Sequence, residues 1–153
     1  MEITNLITPE NVILNLRASS KKQALQELSQ KAAKILELQE RAIFDVLLER
    51  EKLGTTGVGS GVAIPHGKLN KLDQLCGIFA KLEKSIDFES IDERPVDLIF
   101  MLLAPESAGS DHLKALAKIS RLLRDETVCE KLRGSDTVEA IYALLIGTDE
   151  AGG

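Results

Sequence analysis

The chain has 153 residues, of which 44% are hydrophobic, so one domain can bury roughly two-thirds of its unfolded surface. Nineteen basic and twenty-four acidic side chains give a net charge of −5 with no basic cluster, which argues against nucleic acid as a partner. No apolar run approaches the roughly 20 residues of a membrane-spanning helix, and no signal peptide is recognisable. The two cysteines form no paired motif, so we expect a cytoplasmic protein with reduced thiols.

The first third of the sequence predicts a strand and two helices. Residues 11–16 form a short candidate strand, and Ser20 with Gln23 gives a capping-box pattern at a helix start. Apolar side chains then recur at three- and four-residue spacing to about residue 38, as one face of a helix requires: Leu25, Leu28, Ala32 and Ile35. A second helix is predicted over residues 40–52 and places Arg50 in its last turn.

A glycine-rich segment follows this helix. Four glycines stand within residues 54–61 and permit tight turns or the close approach of a ligand. The short apolar run 62–64 lies between such breakers and predicts a strand, and Pro65 and Gly67 then bracket His66. We therefore expect His66, one of only two histidines, to stand on a rigid strand end with its imidazole free for chemistry.

Three familiar glycine motifs do not account for this segment. A phosphate-binding P-loop needs four residues between its first glycine and the Gly-Lys pair, whereas five separate Gly61 from Gly67. A dinucleotide-binding fingerprint follows a strand and opens a helix, which is the reverse of the order here. A nucleophile elbow around Ser60 requires glycine where Val58 stands.

The second half predicts two long strands and then a helix. Residues 75–82 form one strand and residues 96–104 another, and the second is apolar almost throughout, which is typical of a central strand covered on both faces. A polar loop leads to a helix capped by Ser110 or Asp111, with His112 in its first turn. The predicted apolar face of that helix carries Leu113, Leu116, Ser120 and Leu123.

Two further helices are predicted near the C-terminus. Capping patterns begin at Thr127 and at Asp136, and Gly134 and Gly147 are expected to end the two helices. Residues 1–147 are then one domain and residues 148–153 a flexible tail. The order of elements predicts an α/β fold, a single-domain sandwich with a small mixed β-sheet flanked by helices on both sides.

One spaced pattern is more specific than any of these signals. It begins at Glu51, continues after six residues with Val58 and Gly59, and after two more with VAIPHG at residues 62–67. This pattern resembles the phosphohistidine signature of the fructose/mannitol-type IIA proteins, which are phosphoryl carriers of the bacterial phosphoenolpyruvate phosphotransferase system. The segments LITPENV at residues 6–12 and ASSKK at residues 18–22 are similar to the nitrogen-regulatory branch of that family.

The resemblance implies a phosphotransferase component with the same α/β architecture, no cofactor and no metal. It implies that Nε2 of His66 accepts phosphate from an HPr-like carrier, and that His112 and Arg50 support the transfer without accepting the group. Backbone amides would hold the phosphate, at Gly57, Gly59, Gly61 and Gly67. The downstream partners implied are regulatory targets such as a potassium transporter or a sensor kinase.

The residue types themselves suit phosphoryl transfer. An imidazole with a pKa near 6.5 supplies a neutral nitrogen nucleophile at cellular pH. Loop amides, a helix N-terminus and an arginine are the groups that neutralise a transferring phosphoryl. A basic row on the helix after residue 110 is expected to be a solvated face or to steer an acidic partner: Lys114, Lys118 and Arg121.

Other interpretations remain open from the residues alone. Two histidines near acidic residues could hold a metal, although the sequence has no HxH or HExxH spacing and no third soft ligand. The chain could be an interaction module without phosphorylation, or the IIA component of a fructose/mannitol-type sugar transport system. Individually, His112 could lie exposed at a helix start, Arg50 could be solvated, and Asp111 and Glu106 could be a cap and a loop charge.

Overall fold

The computed structural model describes residues 2–151, and the side chains of residues 2–147. The strands are β1 (Val12–Leu16), β2 (Gly57–Gly59), β3 (Val62–Ala63), β4 (His66–Leu69), β5 (Cys76–Ile86) and β6 (Val96–Pro105). The helices are α1 (Lys21–Leu36), α2 (Glu40–Lys52), α3 (Ser110–Leu123), α4 (Glu126–Arg133) and α5 (Val138–Ala151). Within the described residues, no helix has the length and apolar character needed to cross a membrane.

The six strands form one mixed sheet around β6. Their order is β1-β5-β6-β3-β2, and β4 pairs with β6 beyond the end of β3. Strand β6 is antiparallel to β5 and parallel to both β3 and β4. The prediction of a mixed sheet with residues 96–104 at its centre is therefore confirmed.

Helices cover both faces of the sheet because β6 alternates its apolar side chains between two cores. One core joins Leu98 and Phe100 to helices α3, α4 and α5, and the other joins Ile99 and Met101 to helices α1 and α2. Each fully buried phenylalanine or leucine of this kind stabilises the fold by about 2 kcal/mol relative to an exposed one. The predicted sandwich with helices on both sides is confirmed.

The strands around His66 differ in detail from the prediction. The strand expected at 62–64 is β3, which ends at Ala63, and a strand that was not predicted, β4, begins at His66 after Ile64 and Pro65. Pro65 has no amide proton, so the ladder is interrupted there, although its carbonyl still accepts a hydrogen bond from the Leu102 amide at 2.9 Å. His66 therefore starts a strand as well as following one.

The helix starts were predicted with mixed success. The hydroxyl half of the α1 capping box is confirmed, since Ser20 Oγ accepts from the Gln23 amide at 3.1 Å. The Gln23 side chain reaches back one residue further than predicted and accepts from the Ser19 amide at 2.7 Å. The cap of α3 is Gly109, and the expected capping by Ser110 or Asp111 is wrong because, among the residues that the structure describes, no side chain accepts the first amides of this helix.

The two C-terminal helices begin on other residues than those predicted. Asp125 caps α4 by accepting from the amides of Thr127 and Val128, so this helix starts earlier than the Thr127 pattern implied. At α5 it is Thr137 Oγ1, and not Asp136, that accepts the Ala140 amide at 3.1 Å. In both helices, the residue that caps the helix lies one or two positions away from the residue that the sequence predicted.

The two expected helix ends also differ in outcome. Helix α4 stops before Gly134, as predicted, whereas α5 continues through Gly147 to Ala151. The expectation of a helix end at Gly147 is wrong, because one glycine inside a helix costs only about 1 kcal/mol and does not break it. Of the predicted tail, residues 152–153 lie outside the described part of the chain.

Candidate active site

His66 is held between the central strand and the end of α2. It pairs beside Leu102 of β6, and its ring Nδ1 lies 2.9 Å from the carbonyl oxygen of Ile64. The following residue allows α2 to approach closely, because a Cβ at Gly67 would lie 2.2 Å from Val46 Cγ1. Glycine at this position thus lets the last turns of α2 reach the histidine.

Two hydrogen bonds define the protonation state of the His66 ring. Arg50 Nε donates to His66 Nε2 at 3.2 Å, and a guanidinium can only donate, so Nε2 must present its lone pair. The ring proton then belongs to Nδ1, which donates it to Ile64 O. Arg50 is itself oriented by a 2.8 Å bond from Nη1 to Gly54 O. The result is a neutral imidazole with a nucleophilic Nε2.

The surroundings of His66 favour this neutral form. Burial lowers the pKa of His66 from its ordinary value of 6.5, and the hydrogen bond to Ile64 partly opposes that change. The positive charge of Arg50 lowers the pKa further, while the negative charge of Glu51 raises it. The net direction is downward, so the ring is uncharged and nucleophilic at neutral pH.

His112 lies beside His66 at the start of α3. The two ring centroids are 5.7 Å apart, with the planes tilted by 52°. His112 is only 8% exposed, and within the described residues its buried Nδ1 has no hydrogen-bond partner. Its pKa is lowered by burial first and then by the charges of His66 and Lys68. A buried nitrogen without a partner beside a nucleophile can donate a hydrogen bond to a ligand or accept one from it.

The N-terminus of α3 adds further donors to this place. Its N-cap Gly109 has no side chain, so the first backbone N–H groups of the helix are not capped by the N-cap residue. Such amides and the helix dipole favour an anion. The alternative that His112 lies exposed at the helix start is wrong. The buried face of α3 is shifted by one position along the sequence from the face that was predicted, and this shift turns His112 inward. Leu113, expected on that face, is 67% exposed.

A buried carboxylate, Glu51, anchors the loop beside His66; the sequence analysis placed it at the start of the spaced pattern but assigned it no structural role. Glu51 accepts a hydrogen bond from the Thr56 amide at 3.0 Å and another from the Thr56 hydroxyl. It also pairs with Lys21 Nζ at 2.9 Å, and its side chain is 3% exposed. A sequence signal existed, because Glu51 stands four and eight residues after the buried Leu47 and Ile43. An acid in line with core positions of a helix indicates a buried partner.

The structure separates the four glycines that were expected to hold phosphate. Gly67 adjoins His66 in β4, and Gly57 packs against Ser90. Gly59 and Gly61 form the β2–β3 turn with Ser60, all three at positive φ, next to Asp92 and Arg133. That turn pairs with the start of β6, whereas His66 pairs near its end. Phosphate binding by the amides of Gly59 and Gly61 is therefore not supported by their position.

The other candidate residues fall outside the site. Asp111 and Glu106 are exposed, as are Lys114 and Arg121. No group of three or more His, Cys, Asp or Glu side chains converges on a metal position in the described part of the chain. The arrangement around His66 is therefore a neutral imidazole nucleophile surrounded by donors: one guanidinium, one second histidine and one helix N-terminus.

Comparison with known proteins identifies relatives along almost the whole chain. The family described as "Phosphoenolpyruvate-dependent sugar phosphotransferase system, EIIA 2" matches residues 5–147. The nitrogen regulatory protein of Bradyrhizobium diazoefficiens is 61% identical over 145 residues, covering 95% of each chain. The PTS system fructose-specific EIIA component of Haloferax volcanii is 37% identical and covers 95% of this chain and 97% of its own.

A solved structure agrees with these sequence relationships. The crystal structure of the nitrogen regulatory protein IIA-Ntr from Neisseria meningitidis superimposes with a TM-score of 0.89 at 34% sequence identity. The match covers 94% of this chain and 98% of that one.

Proposed function

We propose that this protein, which belongs to the EIIA 2 family of the phosphoenolpyruvate-dependent sugar phosphotransferase system, carries a phosphoryl group on Nε2 of His66. The observation that supports this most directly is the hydrogen-bonded state of the ring. Nδ1 donates its proton to Ile64 O, and the unprotonated Nε2 accepts a hydrogen bond from Arg50 with its lone pair. A phosphoryl acceptor needs that tautomer, because only the unprotonated nitrogen can attack phosphorus.

The transfer step follows from these contacts. The Nε2 lone pair attacks the phosphorus of a phosphohistidine on an HPr-like donor, a new N–P bond forms, and the N–P bond of the donor breaks. The donor's ring nitrogen leaves with the electron pair. As the phosphorus approaches, Arg50 gives up its bond to Nε2, which frees the lone pair for attack, and donates to a phosphoryl oxygen, where its positive charge offsets that of the phosphate. The proton stays on Nδ1, hydrogen-bonded to Ile64 O, so the phosphorylated ring is formally cationic and its positive charge partly offsets the charge of the phosphoryl group.

His112 and the α3 N-terminus complete the proposed phosphate site. Helix α3, which carries His112, covers the opposite face of the sheet from α2, which carries Arg50. The donors are in place before the phosphoryl group arrives, which lowers the barrier by preorganisation. His112 and Arg50 thus support transfer without accepting the group.

The proposed biological role is regulation of nitrogen metabolism in the cytoplasm. It rests on the printed names of the relatives, among them the 61% identical nitrogen regulatory protein. Phosphorylation of His66 would place a dianion on the surface beside Arg50 and change which protein binds there. Potassium transporters and sensor kinases are the proposed target classes.

A second role, delivery of phosphate to a sugar transporter, has its own support. The fructose-specific EIIA component from Haloferax volcanii is 37% identical over nearly its full length. The two roles share the chemistry at His66 and differ in the recipient. Efficient phosphate donation to a sugar-specific IIB protein, with partner binding that ignores phosphorylation, would favour the transport role.

The proposal is tested by phosphorylating the protein with labelled phosphoenolpyruvate, enzyme I and an HPr-like carrier. We expect one acid-labile label per chain and none in His66→Ala, while His112→Ala keeps the label but gains it on the order of a hundredfold more slowly. A label that persists in a folded His66→Ala variant overturns the proposal. Transfer from pre-phosphorylated carrier is expected to continue in excess chelator, since no step uses a metal.

The regulatory role needs a separate measurement. Partner proteins are captured with His66→Ala and with His66→Glu, which mimics one of the two phosphate charges. Different partner sets support regulation by phosphorylation. Identical sets, together with phosphate transfer to a sugar-specific IIB protein, contradict it.

A further inference from the structure

A second cavity lies away from His66, beyond the start of β6. Its volume is about 370 Å³, which is within the range of small-molecule sites. The β2–β3 turn forms one wall, and the ends of α3 and α4 form the others. Leu123 and Cys129, each 4% exposed, close the base. The cavity is therefore a recess with an apolar floor.

This cavity is separate from the histidine site. Arg94, in its wall, precedes the first residue of β6, whereas His66 pairs beside Leu102. Six residues of strand separate Val96 from Leu102, which corresponds to on the order of 20 Å. The proposed phosphoryl transfer uses none of the cavity residues.

One wall of the cavity is rigid and basic. Arg133 is oriented by Asp97, with Nε and Nη2 donating to the two carboxylate oxygens at 2.8 and 2.9 Å. The same Nη2 donates to Ser60 O at 2.9 Å, which fixes the turn against α4. A Cβ at Gly61 would lie 2.4 Å from this nitrogen, so the turn can approach Arg133 this closely only with glycine at position 61. The wall is thus already formed without a ligand.

Charges of both signs face the cavity and do not neutralise one another. Arg94 and Arg124 line it, as do Glu126 and Glu130, which lie four residues apart on one face of α4. Within residues 2–147, none of these four side chains forms an ion pair. Side chains of both signs around a recess are complementary to a ligand that itself has two different ends.

We propose that this cavity binds a small metabolite with an anionic head group and a second end that carries ammonium or hydroxyl donors. The head group lies against Arg94 and Arg124, which can bind carboxylate or phosphate oxygens. The donors at the other end lie against Glu126 and Glu130. A simple anion such as inorganic phosphate meets the glutamates as well as the arginines and binds more weakly.

The test is calorimetric titration of the unphosphorylated protein with two probes, L-glutamate and glucose 6-phosphate. The first has an ammonium group at its second end and the second has hydroxyls, so the stronger binder identifies the donor type. We expect saturable binding of at least one probe. Arg94→Ala with Arg124→Ala weakens it by at least about tenfold, as loss of charge-assisted hydrogen bonds predicts. The matched control is Arg121→Ala, an exposed arginine of α3 outside the cavity lining.

Variants of the two glutamates and of His66 complete the experiment. Glu126→Gln with Glu130→Gln is expected to weaken the two-ended probe and to strengthen inorganic phosphate. The His66→Ala variant is expected to bind like the wild type, which separates this site from phosphoryl transfer. Absence of binding by both probes at millimolar concentration overturns the proposal. Equal weakening by Arg121→Ala, or loss of binding in His66→Ala, overturns it too.

Discussion

A charged side chain anchors each end of the glycine-rich segment, and the two anchors lie in different surroundings. At the His66 end, Glu51 is buried and binds Lys21 and Thr56. At the turn end, Arg133 binds Asp97 and the Ser60 carbonyl with side chains that remain 34% and 30% exposed. The loop beside the nucleophile is thus anchored by a buried charge, and the distant β2–β3 turn is anchored by a charge that is partly exposed to water.

The difference in exposure decides how much each anchor contributes. A charge shielded from water is costly to leave without its partner, whereas an exposed pair exchanges its partner for water at little cost. The loop beside His66 is therefore held in one position. The β2–β3 turn is held more weakly, because the pair that fixes it stays partly hydrated.

The largest expected effect is that of removing the buried anchor. Glu51→Ala leaves Lys21, which is 15% exposed, with only the exposed Glu89 carboxylate 3.7 Å away, and it leaves two Thr56 donors without their acceptor. We expect the free energy of unfolding to fall by about 3–5 kcal/mol in urea denaturation. The control is Glu49→Ala, whose pair with Lys52 is largely exposed and is worth at most about 1 kcal/mol. Equal losses in the two variants would remove the basis for the comparison.

The next largest effect is expected on the rate of phosphoryl transfer when Arg50 is replaced. This substitution tests function at the His66 end of the segment, whereas Glu51→Ala tests stability there. Arg50→Ala removes the guanidinium that faces Nε2, and we expect a rate of phosphoryl acceptance lower by on the order of a hundredfold, or about 3 kcal/mol. Stopped-flow transfer from the phosphorylated carrier measures it. Arg50→Lys should recover only part of the rate, because an ammonium lacks the planar fork. Arg41→Ala, in the same helix, serves as control and should leave the rate unchanged.

At the exposed anchor we expect a smaller loss. Asp97→Ala frees Arg133 to be hydrated, and the free energy of unfolding should fall by about 1 kcal/mol. Urea denaturation in low and high salt measures it, with Asp45→Ala as a control for an ordinary surface pair. A loss as large as that of Glu51→Ala would mean that exposure does not distinguish the two anchors.

The smallest effect is on the pH dependence of stability. Burial lowers the pKa of His66 and of His112 below 6.5, so the unfolded chain binds protons more readily than the folded one. The free energy of unfolding therefore decreases as the pH falls below 6.5 and levels off below the folded pKa values. A variant with His66→Ala and His112→Ala should lose less stability between pH 6.5 and about pH 5. Asp97→Ala should keep the wild-type slope, and a wild-type slope in the double variant would contradict the prediction.

Much of this molecule is predictable from local patterns. Periodicity alone predicts helices α1 and α2 and the central position of β6, because each repeats its apolar side chains over many residues. The pattern from Glu51 to His66 resembles the family's phosphohistidine signature and in that way predicts the nucleophile, since its residues are close together in sequence. Local information is sufficient where local geometry decides the structure.

The remaining features depend on contacts between distant segments. The apolar face of α3 was predicted one residue out of register, and that error concealed the inward position of His112. The sequence also suggested that all the glycines serve the histidine, yet Gly61 is required by Arg133, 72 positions further on. The proton position on His66 is decided by Arg50 and Ile64 together, and only the folded chain brings them to the same ring.

The topology of the sheet has a consequence for the order of folding. Only the loop 87–95 separates β5 from β6, and their antiparallel pairing extends over most of both strands. The parallel pairings of β6 with β3 and β4 close longer loops and follow later, because loop closure entropy opposes them. Since His66 acquires its position only with the β4–β6 pairing, substitutions there should accelerate unfolding and leave the refolding rate nearly unchanged. Substitutions at Phe79 or Phe100 should slow refolding, and stopped-flow chevron plots of the two sets would distinguish an early hairpin from an early active site.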